Sequence, residues 1–246
     1  MAKHFCSYNM VFRFKQFSVM QLRSAMKIGT DGVLLGARSP LDHRPFSVLD
    51  VGSGTGIIAL MIAQRSDAQQ IDAVEINADA YEECTENFEN SPWNDRLFCY
   101  HASFQEFADE MKDEERYDLI VSNPPFYTSD YKTENDSKNK ARFEDALPFG
   151  TLLAGVAALL SEDGIFSVII PSSEETSFIR LASEYQLFPK AVTHVKGNPE
   201  TDIKRSLIAF GRKEIPCVYD TLIIETARHR YTDRYKELTK DFYLKM

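Results

Sequence analysis

Asn123-Pro124-Pro125-Phe126 directly follows the apolar run of residues 117–122. Proline has no N–H to continue a ladder, so a strand ending here leaves a carboxamide, an unpaired carbonyl and an aromatic face at one rim. Those groups suit a planar amine. The nitrogen of an amide, or of an amino group on a heteroaromatic ring, is a poor nucleophile because its lone pair is delocalised. The Asn123 oxygen and the Pro124 carbonyl can each accept one N–H from it, and the bonds strengthen as the nitrogen turns tetrahedral. No strong base is required, since the proton becomes acidic once the nitrogen is alkylated. Phe126 adds a stacking surface worth ~1–3 kcal/mol for an extruded base. In isolation the motif is also readable as a plain turn, and Phe126 as a cap on the core.

The other reactant has its own signature upstream, in Asp50-Val51-Gly52-Ser53-Gly54-Thr55-Gly56. Glycines at a strand end permit a tight turn and let a ligand approach the backbone. Glu75 closes the next apolar run, where a carboxylate can accept both hydroxyls of a ribose. The spacing is Gly-x-Gly-x-Gly, not the Gly-x-Gly-x-x-Gly of a dinucleotide site. Asp50 would repel a pyrophosphate but suits the ammonium of a methionine moiety. S-adenosylmethionine is therefore preferred over a nicotinamide cofactor. Ser103 and Phe104, after the third strand, are where its adenine should rest. His4, His43, His101, His194 and His229 show no metal-ligand spacing.

These groups must be positioned by alternating strands and helices. Residues 47–51, 71–76, 97–101, 117–122 and 164–170 read as buried strands, with helices at 57–65, 78–90, 104–111 and 149–160 between them. Later strands are expected at 191–195, 206–210 and 218–224, and a helix over 178–185 with its start at Ser172-Ser173-Glu174-Glu175. Residues 11–17 alternate as one strand, and 33–38 are helical. Such alternation implies a mainly parallel sheet covered on both faces, with ligands beyond the carboxyl ends of its strands. Residues 127–142 are polar and read as a loop, a candidate for closing over a flipped base.

The composition is that of a soluble globular chain, 43% hydrophobic and 26% charged. No run is long enough for a membrane span, no signal peptide is evident, and the scattered Cys6, Cys84, Cys99 and Cys217 fit a reducing cytoplasm. The net charge of −9 is uneven. Residues 1–44 carry seven Lys or Arg against two acids, and residues 45–120 four against seventeen. The basic ends remain able to meet phosphates, because exposed charges act over about 8–10 Å.

Beyond the tetrapeptide and glycine loop, Phe14-Lys15-Gln16-Phe17, Met26-Lys27-Ile28-Gly29-Thr30-Asp31-Gly32-Val33-Leu34-Leu35-Gly36-Ala37 and Tyr231-Thr232-Asp233-Arg234-Tyr235-Lys236-Glu237-Leu238-Thr239-Lys240-Asp241-Phe242-Tyr243-Leu244 resemble the bacterial tRNA(Val) adenine N6-methyltransferase family over nearly the whole chain. The resemblance implies a Rossmann-like class I methyltransferase fold: a seven-stranded, mainly parallel sheet with helices on both faces, in a single domain over 1–246 whose first 45 residues form a short extension. It implies methylation of the adenine 3′ of the anticodon (adenosine-37) in a valine tRNA, in the cytoplasm, by a monomer or weak dimer that needs no metal and no membrane. By the same resemblance Asn123, Pro124, Pro125 and Phe126 hold the acceptor. Asp50, Gly52, Gly54, Glu75, Ser103 and Asn123 meet the cofactor, with Lys27 to Asp31 over it and Thr30 and Asp31 near its methionine end. Arg13, Lys15, Arg23, Lys132, Lys138, Lys140, Arg228, Arg230 and Arg234 are the basic residues expected to meet RNA. Glutamine N5-methylation of a protein and guanine N2-methylation of rRNA use the same chemistry. A non-catalytic, cofactor-binding RNA chaperone is the alternative from another class.

Overall fold

Aliphatic runs with no polar interruption make strands that can be buried on both faces, which a mainly parallel sheet requires. In the computed structural model, which describes residues 11–114, 116–125 and 147–246, these runs form an eight-stranded sheet. Its strands are β3 (Ser47–Val51), β4 (Gln70–Glu75), β5 (Leu97–His101), β6 (Tyr117–Ser122), β7 (Leu160–Pro171), β8 (Phe188–Lys196), β9 (Ile203–Gly211) and β10 (Val218–Ile223). Their order is β10-β8-β9-β7-β6-β3-β4-β5. Only β9 runs against its neighbours. The mainly parallel sheet is as expected, and β10 lies beside β8 as an eighth strand at the edge.

Helices cover both faces. One layer packs α1 (Thr30–Arg38), α2 (Ile57–Arg65) and α3 (Ala78–Glu89) on the sheet through residues such as Leu34, Leu60 and Phe88. The other packs α4 (Phe104–Met111), α5 (Phe149–Leu159) and α6 (Glu175–Glu184) through Phe104, Leu152 and Phe178. The expected helix start at Ser172 is a 3-10 turn, Ser172–Glu174, whose Ser172 hydroxyl donates to the Ile203 carbonyl at 2.7 Å instead of capping α6.

The N-terminal extension is a hairpin, not the single strand its alternation suggests: β1 (Val11–Arg13) pairs with β2 (Ser18–Met20). The chain turns because Phe14 and Phe17, both buried, stack at 4.7 Å. The C-terminal tail holds that turn. Lys15 N–H donates to the Phe242 carbonyl at 2.8 Å, and Phe14 bridges to Tyr243. The stretches that carry the family resemblance at the two ends therefore meet in space. Between them β11 (Glu225–Ala227), β12 (Arg230–Tyr231) and α7 (Asp233–Thr239) complete the chain. Phe126, the loop at 127–142 and its Lys132, Lys138 and Lys140 lie outside the described residues, as do His4 and Cys6.

Candidate active site

Strand register brings the sequence motifs to one rim. Val51 lies level with Ser122 of β6 and Val74 of β4, and Glu75 with His101 of β5. Connections leave β3 toward β4 on one side and reach β6 on the other, so the gap between the β3 and β6 tips is the topological switch point where ligands bind in such sheets. Ser122, fully buried, ties the tips together through its hydroxyl, which donates to the Val51 carbonyl at 2.9 Å.

The glycine loop uses its residues for two different reasons. Gly52, Gly54 and Gly56 have φ of 71°, 56° and 76°, a region side chains rarely adopt. A methyl on Gly52 or Gly54 would meet nothing within 4 Å, so both stand beside open space that a ligand can fill. A methyl on Gly56 would fall 2.5 Å from the Phe88 ring and 2.8 Å from Cys84 Sγ. That third glycine serves the packing of α3.

Glu75 is locked to the loop. Its Oε2 accepts the Gly54 N–H at 2.8 Å and its Oε1 the Asn77 N–H at 2.9 Å. Each carboxylate oxygen retains a lone pair, so the group is fixed and can still accept two ribose hydroxyls. Directly after it, Ile76 is 46% exposed. It offers an apolar face at the rim that the sequence reading missed, though an isoleucine leaving a strand beside an acid was the available signal.

Asp50, expected at the cofactor, is fully buried: Oδ2 accepts the Ala59 N–H of α2 at 3.2 Å, while Oδ1 has no partner among the described residues. Burial pushes its carboxyl up to about 7; the Ala59 bond opposes the shift and the charge of Glu75 adds to it. Asp50 thus steadies the start of α2 from below. Ser103 is committed to a capping box, its hydroxyl accepting from Glu106 N–H at 3.2 Å and donating to the Glu106 carboxylate at 2.7 Å. Phe104 packs in the core beneath Gly155 of α5. The adenine region therefore has Ile76 and the edge of this cap available, not the Phe104 ring.

Residues 22–31 reach the site through a strap. Glu83, on the buried face of α3, accepts the backbone N–H groups of Leu22, Arg23 at 2.7 Å and Ser24 at 3.0 Å, and the Ser24 hydroxyl at 2.6 Å. Burial alone would raise its carboxyl, but these bonds outweigh it and hold it below the usual range. Asn87, one turn on, bonds both polar groups of Met20 and donates to the Thr55 carbonyl of the glycine loop at 2.9 Å. Sequence reasoning missed both, although each is a polar residue on the buried stripe that includes Ala80, Cys84 and Phe88. Lys27 folds back onto the carbonyls of its own strap, Leu22 at 3.3 Å among them. Thr30 opens α1, and Asp31 pairs with Arg205 at 2.7 Å. The strap is positioned near the loop, but the Lys27 and Asp31 side chains are turned to protein partners.

At the tip of β6, Asn123 is half-buried and its Oδ1 is shielded with no hydrogen-bond partner among the described residues. A buried acceptor without a partner costs about 1–3 kcal/mol. A donor brought by a ligand would relieve that cost. Pro124 beside it is buried.

The basic residues divide. Arg23 is held by Glu82 and Glu86, Arg234 by Asp220 and the Thr221 carbonyl, and Lys15 by the Lys240 carbonyl. Arg13, Arg228 and Arg230 are exposed, and no described residue bonds their side chains.

A family model described as the methyltransferase small domain matches residues 30–146. A Flavobacterium psychrophilum protein named tRNA1(Val) (adenine(37)-N6)-methyltransferase is 58% identical over 236 residues, covering 96% of this chain and 100% of that protein. The Bacteroides fragilis protein of the same name is 43% identical over 235 residues, covering 96% and 98%. Among solved structures, a predicted O-methyltransferase from Agrobacterium tumefaciens superposes with a TM-score of 0.69 over 86% of this chain and 96% of that one. At 18% identity that likeness speaks to the fold alone.

Proposed function

The chain belongs to the family of tRNA1(Val) (adenine(37)-N6)-methyltransferases, and we propose that the rim built by β3, β4 and β6 carries the family's reaction here: transfer of a methyl group from S-adenosylmethionine to N6 of adenine 37 in a valine tRNA. The observation that carries this reading is the shielded, partnerless Oδ1 of Asn123 beside the open glycine cradle.

When bound, the sulfonium donor supplies an electrophilic methyl group, and the chain's residues do the rest. Glu75 accepts the ribose hydroxyls, Ile76 lies against the adenine of the donor, and Gly52 and Gly54 leave room for close approach to the backbone. Asn123 Oδ1 and the Pro124 carbonyl accept the two N–H groups of adenine N6. As the N6 lone pair becomes the new N–C bond, the pair from the breaking S–C bond stays on sulfur and N6 becomes cationic. The two acceptors then hold stronger donors than in the ground state, which lowers the barrier. The extra proton leaves afterwards to solvent. Phe126 supplies a stacking face for the extruded base, whose extrusion costs a few kcal/mol.

The N-terminal hairpin, sheet and tail act as one unit in the cytoplasm, where the substrate is met as a single-stranded loop whose bases can be splayed out. The same acceptor geometry would serve a glutamine amide or a guanine, and family membership favours adenine. Mass spectrometry of valine tRNA from cells with and without the gene tests the reading. N6-methyladenosine should vanish from position 37 of one isoacceptor, and its persistence would refute the assignment.

A further inference from the structure

Register places more than the catalytic turn on this rim. Because β10 runs parallel to β8, and Ile223 lies level with Lys196, the chain leaves β10 on the side where β6 ends at Asn123. The β11–β12 hairpin grows from that point. Its base is fixed: Ile224 N–H donates to the Lys196 carbonyl at 3.0 Å, Glu225 N–H to Gly197 at 2.9 Å, and Thr232 N–H to Ile224 at 2.9 Å. The tip carries Arg228, His229 and Arg230, all exposed, with His229 in the left-handed region at φ 64°. Between hairpin and α7 lies a cleft of about 570 Å³ lined by His229, Arg230, Tyr231 and Lys236, with Asp233 paired to Lys236 at 3.2 Å.

Charge singles out this hairpin. Glu200 and Asp202, exposed in the β8–β9 connection, offset Lys196 and Lys204. Across the rim, α3 exposes Asp79, Glu82 and Glu89. Among the described residues Arg228 and Arg230 are thus exposed cations with no acid bonded to them, on an arm at one side of the site whose base the three backbone bonds hold. From β10 to β6 is four inter-strand steps, roughly 19 Å at about 4.8 Å each. Duplex nucleic acid carries one charge per ~1.7 Å of axis, so an arm entering the acceptor site passes several phosphates over that span.

We propose that the β11–β12 hairpin is the docking arm for the sugar-phosphate backbone of the tRNA anticodon arm, with Arg228 and Arg230 as phosphate contacts and the acidic α3 side keeping RNA off the other half of the rim. This rests on the reading of the chain as a tRNA methyltransferase, and the two fail differently. If the wild type neither binds nor methylates the tRNA, that reading falls; if it does both and the hairpin variants match it, only the docking assignment falls.

The experiment compares full-length wild type, Arg228→Ala/Arg230→Ala, Arg228→Lys/Arg230→Lys and Lys213→Ala in binding valine tRNA transcript across a salt series. Lys213 follows the far end of β9, on the opposite rim, where it pairs with Asp163 at 2.7 Å. The alanine pair should weaken binding on the order of tenfold at about 0.15 M salt and flatten the log–log salt slope by roughly 0.7–0.9 per contact. The lysine pair should keep most of the affinity, and Lys213→Ala all of it. Melting temperature and donor affinity should be those of wild type in every variant. Equal tRNA affinity and slope for the alanine pair, or an equal loss in Lys213→Ala, would each overturn the proposal.

Discussion

Asn123→Ala is expected to abolish methyl transfer while leaving donor binding and stability in place. Oδ1 makes no bond within the described chain, so its removal deletes no native interaction and relieves a shielded, unsatisfied acceptor. The melting temperature should hold or rise slightly. What is lost is an acceptor whose bond to N6 strengthens as positive charge develops there. Removing one such group costs about 10²–10³-fold in rate. The turnover rate should fall by that factor or more, with the donor dissociation constant within about threefold of wild type. Asn123→Asp retains an acceptor in the same place and should retain part of the rate. Single-turnover radiolabel transfer beside calorimetry reads both quantities. A parallel loss of donor affinity would move Asn123 into the donor's own shell.

Glu75→Gln should have the opposite profile. The carboxylate is gripped by the N–H groups of Gly54 at 2.8 Å and Asn77 at 2.9 Å, and in the proposed reading its remaining lone pairs take the ribose hydroxyls. A carboxamide must turn its NH2 toward one of those two donors, which disrupts the loop, and it forfeits an acceptor for one hydroxyl. Hydrogen bonds to charged groups contribute about 1.5–3 kcal/mol each. Donor affinity should therefore fall on the order of 10²-fold, while turnover at saturating donor stays within about threefold. Calorimetric titration with S-adenosylhomocysteine measures the first and steady-state kinetics the second. Unchanged affinity would reduce Glu75 to a staple between Gly54 and Asn77.

Much of this was legible because the elements are punctuated by residues with one physical meaning. Gly56 precedes α2, Asn77 caps α3, Ser103 caps α4 and the prolines follow β6, and these elements begin where the pattern places them. The acceptor and donor loops were legible for the same reason: a carboxamide, glycines and a carboxylate sit at strand ends, where the fold leaves side chains at a rim. Legibility ended wherever a partner distant in the chain decides. Residues 11–17 alternate like a strand, and the stacking of Phe14 on Phe17 that turns them is held by Phe242 and Tyr243, far along the chain. The bond from α2 to the buried Asp50 was not legible, nor were the acids Glu82, Glu86 and Asp220 beside Arg23 and Arg234, which read as RNA contacts. Ile76 was passed over since one apolar residue in a short strand reads as core, and only the end of the sheet exposes it.

A crystal structure of the chain with S-adenosylhomocysteine and adenosine, as stand-ins for spent donor and target nucleoside, bears most directly on the pairing of donor and amine. The account predicts adenosine N6 at about 2.7–3.2 Å from Asn123 Oδ1, facing the thioether sulfur, with the donor ribose on Glu75. Adenosine bound elsewhere, or Asn123 turned into the core with N6 out of its reach, would contradict it.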